Sequence, residues 1–313
     1  MNTSAAPTTS AKKTDRLQGV LPVFQTPFHD DQTIDAATLE KHIHTIYDHG
    51  ADGIVMAMVS ETLRLSTEER RELAALACKF GKDRGAVVIS VGAESTLTAC
   101  QLAIHAQEQK ADAVMVIPPV ATALGEEELA GYYRQIINAI DIPVIVQDAS
   151  GYVGKPMSIT LQANLMKEFG RDRVLFKPEA TPIAPKLSQL RDATDGQARI
   201  FEGTGGLALV DSYRRGIEGT MPGGEIVWAL VALWKALQNK DEDAIYRIWP
   251  ILTTLVTMQT SLDSFLAIEK YLLVKQGVFK NTVVRGPVGY KMDHETQAEV
   301  DRLFEQLQKA VKG

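Results

Sequence analysis

From residue 18 onward the chain alternates two patterns. Short apolar runs rich in Val and Ile come first, and each leads into a longer segment with apolar residues at helical spacing. The runs are GVLPVFQTP (19–27), GIVMAM (53–58), AVVISVGA (86–93), AVMVIPP (113–119), PVIVQD (143–148), RVLFKPE (173–179), ARIFEG (198–203) and GIEGTM (216–221). They are too short for buried helices and are flanked by Gly, Pro or Asp, so they predict strands. Most are continuous rather than alternating, the mark of strands covered on both faces. Helices are predicted over 34–49, 67–82, 95–109, 126–140, 158–169, 183–193 and 225–238. Ser66 with Glu69 three residues on forms a capping box that starts the second of them. Strand–helix alternation of this kind predicts an α/β fold, a (β/α)8 barrel, with a doubly wound sheet as the alternative. No GxGxxG follows the first strand to support that alternative.

Three more helices, over 241–258, 262–276 and 294–311, follow the barrel. The expected organisation is a disordered leader over 1–17, a barrel over 18–238 and C-terminal helices packed on it over 239–313. The Ser-, Thr- and Ala-rich leader lacks the apolar core of a secretory signal.

Composition narrows the classes. The chain has 313 residues, 45% hydrophobic and 23% charged, which excludes a disordered or fibrous protein. No run approaches the roughly 18 apolar residues of a spanning helix, so no membrane partner is expected. A net charge of −6 leaves no global basic footprint for nucleic acid. Cys78 and Cys100 form no CxxC and read as reduced thiols of a cytoplasmic protein. The histidines share no face with metal-ligand spacing, so neither a metal nor another cofactor is expected.

In such barrels chemistry sits at the C-terminal ends of the strands. Lys177 ends the otherwise apolar run Val174-Leu175-Phe176. A strand position there faces the barrel interior or the helix layer, and neither favours an ammonium. A neutral lysine amine attacks ketones to form a Schiff base. The competing reading is a lysine that snorkels to solvent. Glu179, two residues on, lies on the same side of the strand. It is a candidate for proton transfer, or else an ion-pair partner that holds the lysine.

The chain resembles the dihydrodipicolinate synthase / N-acetylneuraminate lyase superfamily of pyruvate-type class I aldolases. The matching segments are Gly19-Val-Leu-Pro-Val with Thr26-Pro27-Phe28, Gly50-Ala-Asp-Gly53, Ser60-Glu61 with Leu65-Ser-Thr-Glu-Glu-Arg70, Lys110-Ala-Asp-Ala113 before Pro118-Pro119, Ile142-Pro143-Val-Ile-Val, Phe176-Lys177 and Gly216-Ile-Glu-Gly219. The resemblance implies a (β/α)8 barrel, Lys177 as the Schiff-base lysine, and a homo-oligomer, tetramer or dimer. It further implies a small 2-keto acid substrate whose carboxylate rests on backbone amides at Val59 and Ser60. Thr26, Gly203 and Met221 are the other expected substrate contacts.

The departures narrow the reaction. Where the family has Gly-Thr-Thr-Gly-Glu, this chain reads Ala57-Met58-Val59-Ser60-Glu61. Gln147 stands where the family's proton-shuttling tyrosine does, and Tyr152 aligns with the arginine that holds the aldehyde substrate of the lysine-biosynthesis synthases. The Val-Gln-Asp-Ala and Phe-Lys-x-Glu forms are similar to the 2-keto-3-deoxy-L-arabonate dehydratase branch. The expected function is a Schiff-base-forming lyase, dehydratase or aldolase, acting on pyruvate or a 2-keto-3-deoxy sugar acid, with Lys177, Glu179 and Gln147 catalytic. The alternatives are a 4-hydroxy-tetrahydrodipicolinate synthase and a catalytically degenerate keto-acid-binding or regulatory barrel. Ser150, Tyr152 and Thr204 are weaker candidates for hydroxyl contacts.

Overall fold

The computed structural model describes residues 16–151 and 154–313. Among these, eight strands run in chain order: β1 (Gly19–Val20), β2 (Gly53–Met56), β3 (Ala86–Ser90), β4 (Ala113–Val116), β5 (Val144–Asp148), β6 (Val174–Pro178), β7 (Phe201–Glu202) and β8 (Gly219–Thr220). Strands β2 to β6 make one parallel sheet in sequence order, and β1, β8 and β7 make another. Val23 bridges both Val55 and Gly223, and Phe176 bridges Ile200, so the two sheets close into a ring. The result is the predicted (β/α)8 barrel.

The first predicted run is nine residues long but yields a two-residue strand. Pro22 has no N–H to donate, which interrupts the ladder. Pairing nevertheless continues around it. Leu21 donates to the Thr220 carbonyl at 2.9 Å, Val55 to the Pro22 carbonyl at 2.9 Å and Phe24 to the Val55 carbonyl at 3.1 Å.

Helices follow the strands in turn: α1 (Ala36–Asp48), α2 (Thr67–Gly81), α3 (Thr96–Glu108), α4 (Glu126–Asn138), α5 (Ile159–Phe169), α6 (Ile183–Ala193), α7 (Leu209–Arg214) and α8 (Val227–Asn239). The capping box opens α2, with Ser66 Oγ accepting from the Glu69 N–H and Glu69 Oε2 accepting from the Ser66 N–H. The six-residue α7 was not predicted; so short a segment carries less than two turns of periodicity. Beyond the barrel come α9 (Glu242–Thr257), α10 (Leu262–Lys275) and α11 (His294–Lys312). Helix α9 packs on α8, α11 on α9 and α8, and α10 on the turn that follows β2. No helix among the described residues is long and apolar enough to cross a membrane.

The period of two along each strand sorts side chains into two cores. Leu21, Val23, Val55, Val88, Met115, Ile145, Leu175 and Phe201 fill the barrel interior. Ile54, Met56, Val87, Val114, Val144, Val146, Val174 and Phe176 face the helices. Leu17, assigned by the sequence reading to the leader, is wholly buried in the interior cluster. Its carbonyl accepts from Arg199 at 2.9 Å. Arg16 donates to Asp112 at 3.3 Å. The ordered chain therefore begins before residue 18, because the barrel floor needs an apolar plug. Residues 1–15 lie outside the described residues.

Candidate active site

Strand parity places the candidate lysine. Leu175 points into the barrel and Phe176 points out, so Lys177 points in, one layer above Leu175. Gln147 is its register partner on β5 and sits above the interior residue Ile145. Lys177 is 4% exposed and Glu179 3% exposed. Lys177 Nζ donates to Glu179 Oε1 at 3.0 Å, and Gln147 Nε2 donates to Glu179 Oε2 at 2.6 Å. The three residues predicted as catalytic are thus one hydrogen-bonded group. Gln147 Oε1 is buried without a partner.

Burial pushes the Glu179 carboxyl above the usual carboxylate range, and Glu202 adds to the rise. Lys177 and the Gln147 amide pull it the other way. Close approach from β7 is possible only because residue 203 is glycine. A Cβ there would lie 2.6 Å from Lys177 Cε and 2.7 Å from Glu179 Oε1.

These groups form one wall of a narrow cleft of about 50 Å³ at the C-terminal end of the barrel. Met58, Val59, Gly203, Met221, Gly223 and Glu269 are among its lining residues. Val59, Gly203 and Met221 were expected there. Val59 belongs to a single 3₁₀ turn, Met58–Ser60, after β2. Amides in such a first turn lack intrahelical partners.

Thr26 and Ser60 do not line the cleft, against expectation. Thr26 Oγ1 donates to the Ser60 carbonyl at 2.7 Å, and Ser60 Oγ donates to the Phe24 carbonyl at 2.5 Å. The Ser60 N–H donates to the Ala57 carbonyl at 2.9 Å. Both side chains are fully buried. They stitch the end of β1 to the turn after β2, so their hydroxyls brace the site from behind. Thr204 is also engaged: its N–H donates to Glu202 Oε1 at 2.5 Å, and its hydroxyl bonds the same carboxylate. Ser150 Oγ is buried with no partner among the described residues and does not line the cleft. Tyr152 lies outside the described residues.

The far wall comes from the C-terminal helices, which sequence reasoning treated only as packing. Leu262, Phe265 and Glu269 line the cleft from one face of α10, at the spacing of successive turns. Glu269 is 1% exposed, and its Oε2 accepts from Gln25 Nε2 at 2.8 Å. Gln25 Oε1 meets His42 Nε2 at 2.9 Å. Burial pushes the Glu269 carboxyl well above the usual range, with help from neighbouring Glu225. Burial also lifts Glu225, to about 7. The signal available in the sequence was the charged pair Glu269-Lys270 inside the apolar run Phe265 to Val274.

Lys270 turns away from the cleft. Its Nζ bonds Glu61 and donates to the Val283 carbonyl at 2.6 Å, and it stands 4.6 Å from the Phe28 ring centroid. Glu61 also accepts the Arg285 N–H at 2.9 Å. This pair pins α10 to the end of the 3₁₀ turn, and so fixes the wall that carries Glu269.

Residues 16–307 match the Dihydrodipicolinate synthetase family. The L-2-keto-3-deoxyarabonate dehydratase of Azospirillum brasilense is 26% identical over 309 residues, 95% of this chain and 97% of the relative. The 4-hydroxy-tetrahydrodipicolinate synthase of Methanococcoides burtonii is 30% identical over 194 residues, 61% of this chain and 65% of the relative. Among solved structures, the dihydrodipicolinate synthase of Rhodopseudomonas palustris superposes with a TM-score of 0.85 at 25% identity, covering 95% of this chain and all of that one.

Proposed function

The chain belongs to the dihydrodipicolinate synthetase family and is a lyase of the class I aldolase type, and on that premise we propose that it dehydrates a 2-keto-3-deoxy sugar acid through a Schiff base on Lys177. The observation that carries this reading is the Lys177–Glu179–Gln147 group, buried at one wall of the cleft.

The proposed chemistry follows from the geometry. The substrate carboxylate rests against the amide of Val59, and the Ser60 amide stays in its turn. Lys177 Nζ, 3.0 Å from Glu179 Oε1, gives a proton to that carboxylate and attacks the C2 carbonyl. Glu179 returns that proton to the carbinolamine hydroxyl, whose loss as water leaves a protonated imine that draws electrons from C3 and leaves Glu179 a carboxylate again. Glu179 removes the C3 proton, because a carboxyl raised by burial accepts a proton more readily than an ordinary one. The enamine then expels the C4 hydroxyl, which leaves as water once protonated. Breaking C3–C4 in a C4-hydroxylated substrate would use the same electron sink, so aldol cleavage is the neighbouring reaction.

The synthase reaction is the less favoured reading. Gln147 stands at the register position of the family's tyrosine and cannot exchange protons as a phenol does. Condensation of pyruvate with aspartate semialdehyde is expected to fall short of the 10⁴ M⁻¹s⁻¹, in rough terms, that competent enzymes reach. The working form is taken to be a cytoplasmic homo-oligomer, as the family resemblance implies.

The test is borohydride trapping with pyruvate and with 2-keto-3-deoxypentonate, followed by mapping of the modified lysine. An adduct on Lys177 supports the reading. An adduct on another lysine, or none, rejects it.

A further inference from the structure

The cleft that Lys177 lines holds a second carboxyl group, that of Glu269. The strands close in sequence order, so β1 stands opposite β5, and β8 lies two strands from β6. Glu269 reaches the cleft beside the ends of β1 and β8, while Lys177 and Gln147 occupy β6 and β5.

A substrate tethered at C2 to Lys177 thus shares one cleft with Glu269. One polar group on the Lys177 side of the cleft is left for a ligand. Gln147 Oε1 is an acceptor at the cleft wall, 1% exposed and without a partner. Behind Glu269, Glu225 Oε2 comes within 2.3 Å of the point a Cβ on Gly223 would occupy. Glu269 Oε1 comes within 2.5 Å of that same point. The two carboxyls thus crowd one side of Gly223, itself a lining residue.

Gln25 Nε2 is a donor and claims Glu269 Oε2 as acceptor. His42 fixes the Gln25 amide in that orientation through Oε1. Pyruvate, with a methyl group at its far end, offers such a wall nothing. A chain bearing hydroxyl groups offers both donors and acceptors.

We propose that Glu269, held by Gln25 and backed by Glu225, is the specificity-determining residue that binds a distal hydroxyl of the substrate, with Gln147 Oε1 accepting from a second. This rests on the Schiff-base reading above and narrows its substrate class to hydroxylated 2-keto acids. A site built to hydrogen-bond a hydroxyl discriminates strongly against an analogue that lacks it, because its buried polar groups are then left unpaired.

The test compares trapping efficiencies on the full chain. Wild-type protein and Glu269→Gln are each treated with borohydride and either 2-keto-3-deoxypentonate or 2-oxopentanoate, which has the same chain length and no hydroxyls. Wild type is expected to half-saturate at a concentration at least about 100-fold lower for the hydroxylated acid. Glu269→Gln is expected to shrink that preference by roughly 10- to 100-fold, the scale of one buried hydrogen bond to a charged or shared-proton group. Equal half-saturation in wild type overturns the proposal even if the variant does not fold. A variant preference equal to that of wild type overturns it as well. Failure of wild type to trap either acid removes the Schiff-base reading and this one together, whereas adducts with no preference remove this one alone.

Discussion

Two buried lysine–glutamate pairs lie on either side of the barrel mouth, and they have opposite characters. Lys177 and Glu179 have side chains 4% and 2% exposed, and Lys270 and Glu61 are at 0%. By burial alone Lys270 is the better candidate for a perturbed amine, and burial does hold it below the usual lysine range against the pull of Glu61. Yet Lys270 is closed in by a carboxylate, the Val283 carbonyl and the Phe28 ring. Its carboxylate partner is held in turn by the Arg285 amide. Lys177 meets Glu179 on one side and faces an open cleft on the other. A nucleophile needs room for the electrophile and a base that can take its proton. Desolvation without room makes a rivet.

The sharpest way to break this contrast is at the lysines. Lys177→Ala is expected to abolish both turnover and the borohydride adduct while the fold persists. Lys270→Ala is expected to leave any adduct on Lys177. It should, however, destabilise the protein by about 3–5 kcal/mol, since removing one partner strands the Glu61 charge. Chemical denaturation of the two variants reads the difference, and an adduct mapped to Lys270 would invert the assignment.

The next effect is smaller and lies within the cleft pair. Glu179→Gln is expected to retain a trappable imine with pyruvate. Exchange of the pyruvate methyl protons with solvent should fall by roughly 10²-fold or more, the usual scale of general-base catalysis. Unchanged exchange, followed by proton NMR in deuterated buffer, would reduce Glu179 to an ion-pair partner like Glu61. Gly203→Ala extends the same test through geometry. Its Cβ would collide with Lys177 Cε and Glu179 Oε1. A displacement on the ångström scale costs on the order of 10²-fold in rate, and normal kinetics would mean the group tolerates misplacement.

The smallest effect concerns pH. Glu225 and Glu269 face Gln25, His42, Gln259 and Lys270, and burial raises both carboxyls in the folded state. The folded protein therefore binds protons that the unfolded chain releases near 4.5. The stability this contributes is fully present below that value and is lost as pH rises through about 7. Each carboxyl contributes a slope of at most about 1.4 kcal/mol per pH unit. Glu225→Gln should flatten the decline, and an equally steep decline in that variant would place its source elsewhere. Lys270 holds Glu269 down, so Lys270→Ala is expected to raise Glu269 further and extend the decline to higher pH.

The amino-acid sequence determined the parts of this protein that depend on local pattern. Continuous Val- and Ile-rich runs predicted the strands β2 to β6, because residues buried on both faces leave no polar alternation. Ser66 and Glu69 announced the start of α2, since a capping box satisfies its own amides. The odd lysine closing Val-Leu-Phe pointed to the cleft, and period-two spacing put Glu179 beside it, because strand geometry alone decides which side chains share a face.

Tertiary structure decided the rest. Thr26 and Ser60 looked like substrate contacts and became braces, because closing the ring between β1 and β2 turned their hydroxyls toward backbone carbonyls. Leu17 looked like leader and became the barrel's floor. Two buried lysines acquired different surroundings, Lys177 lining the cleft and Lys270 closed in by Glu61, Val283 and Phe28. Glu269 reached the cleft from a helix far along the chain, and no local period encodes which wall a distant helix will complete. That choice is made by the packing of α10 and by the Lys270–Glu61 pair that pins it there.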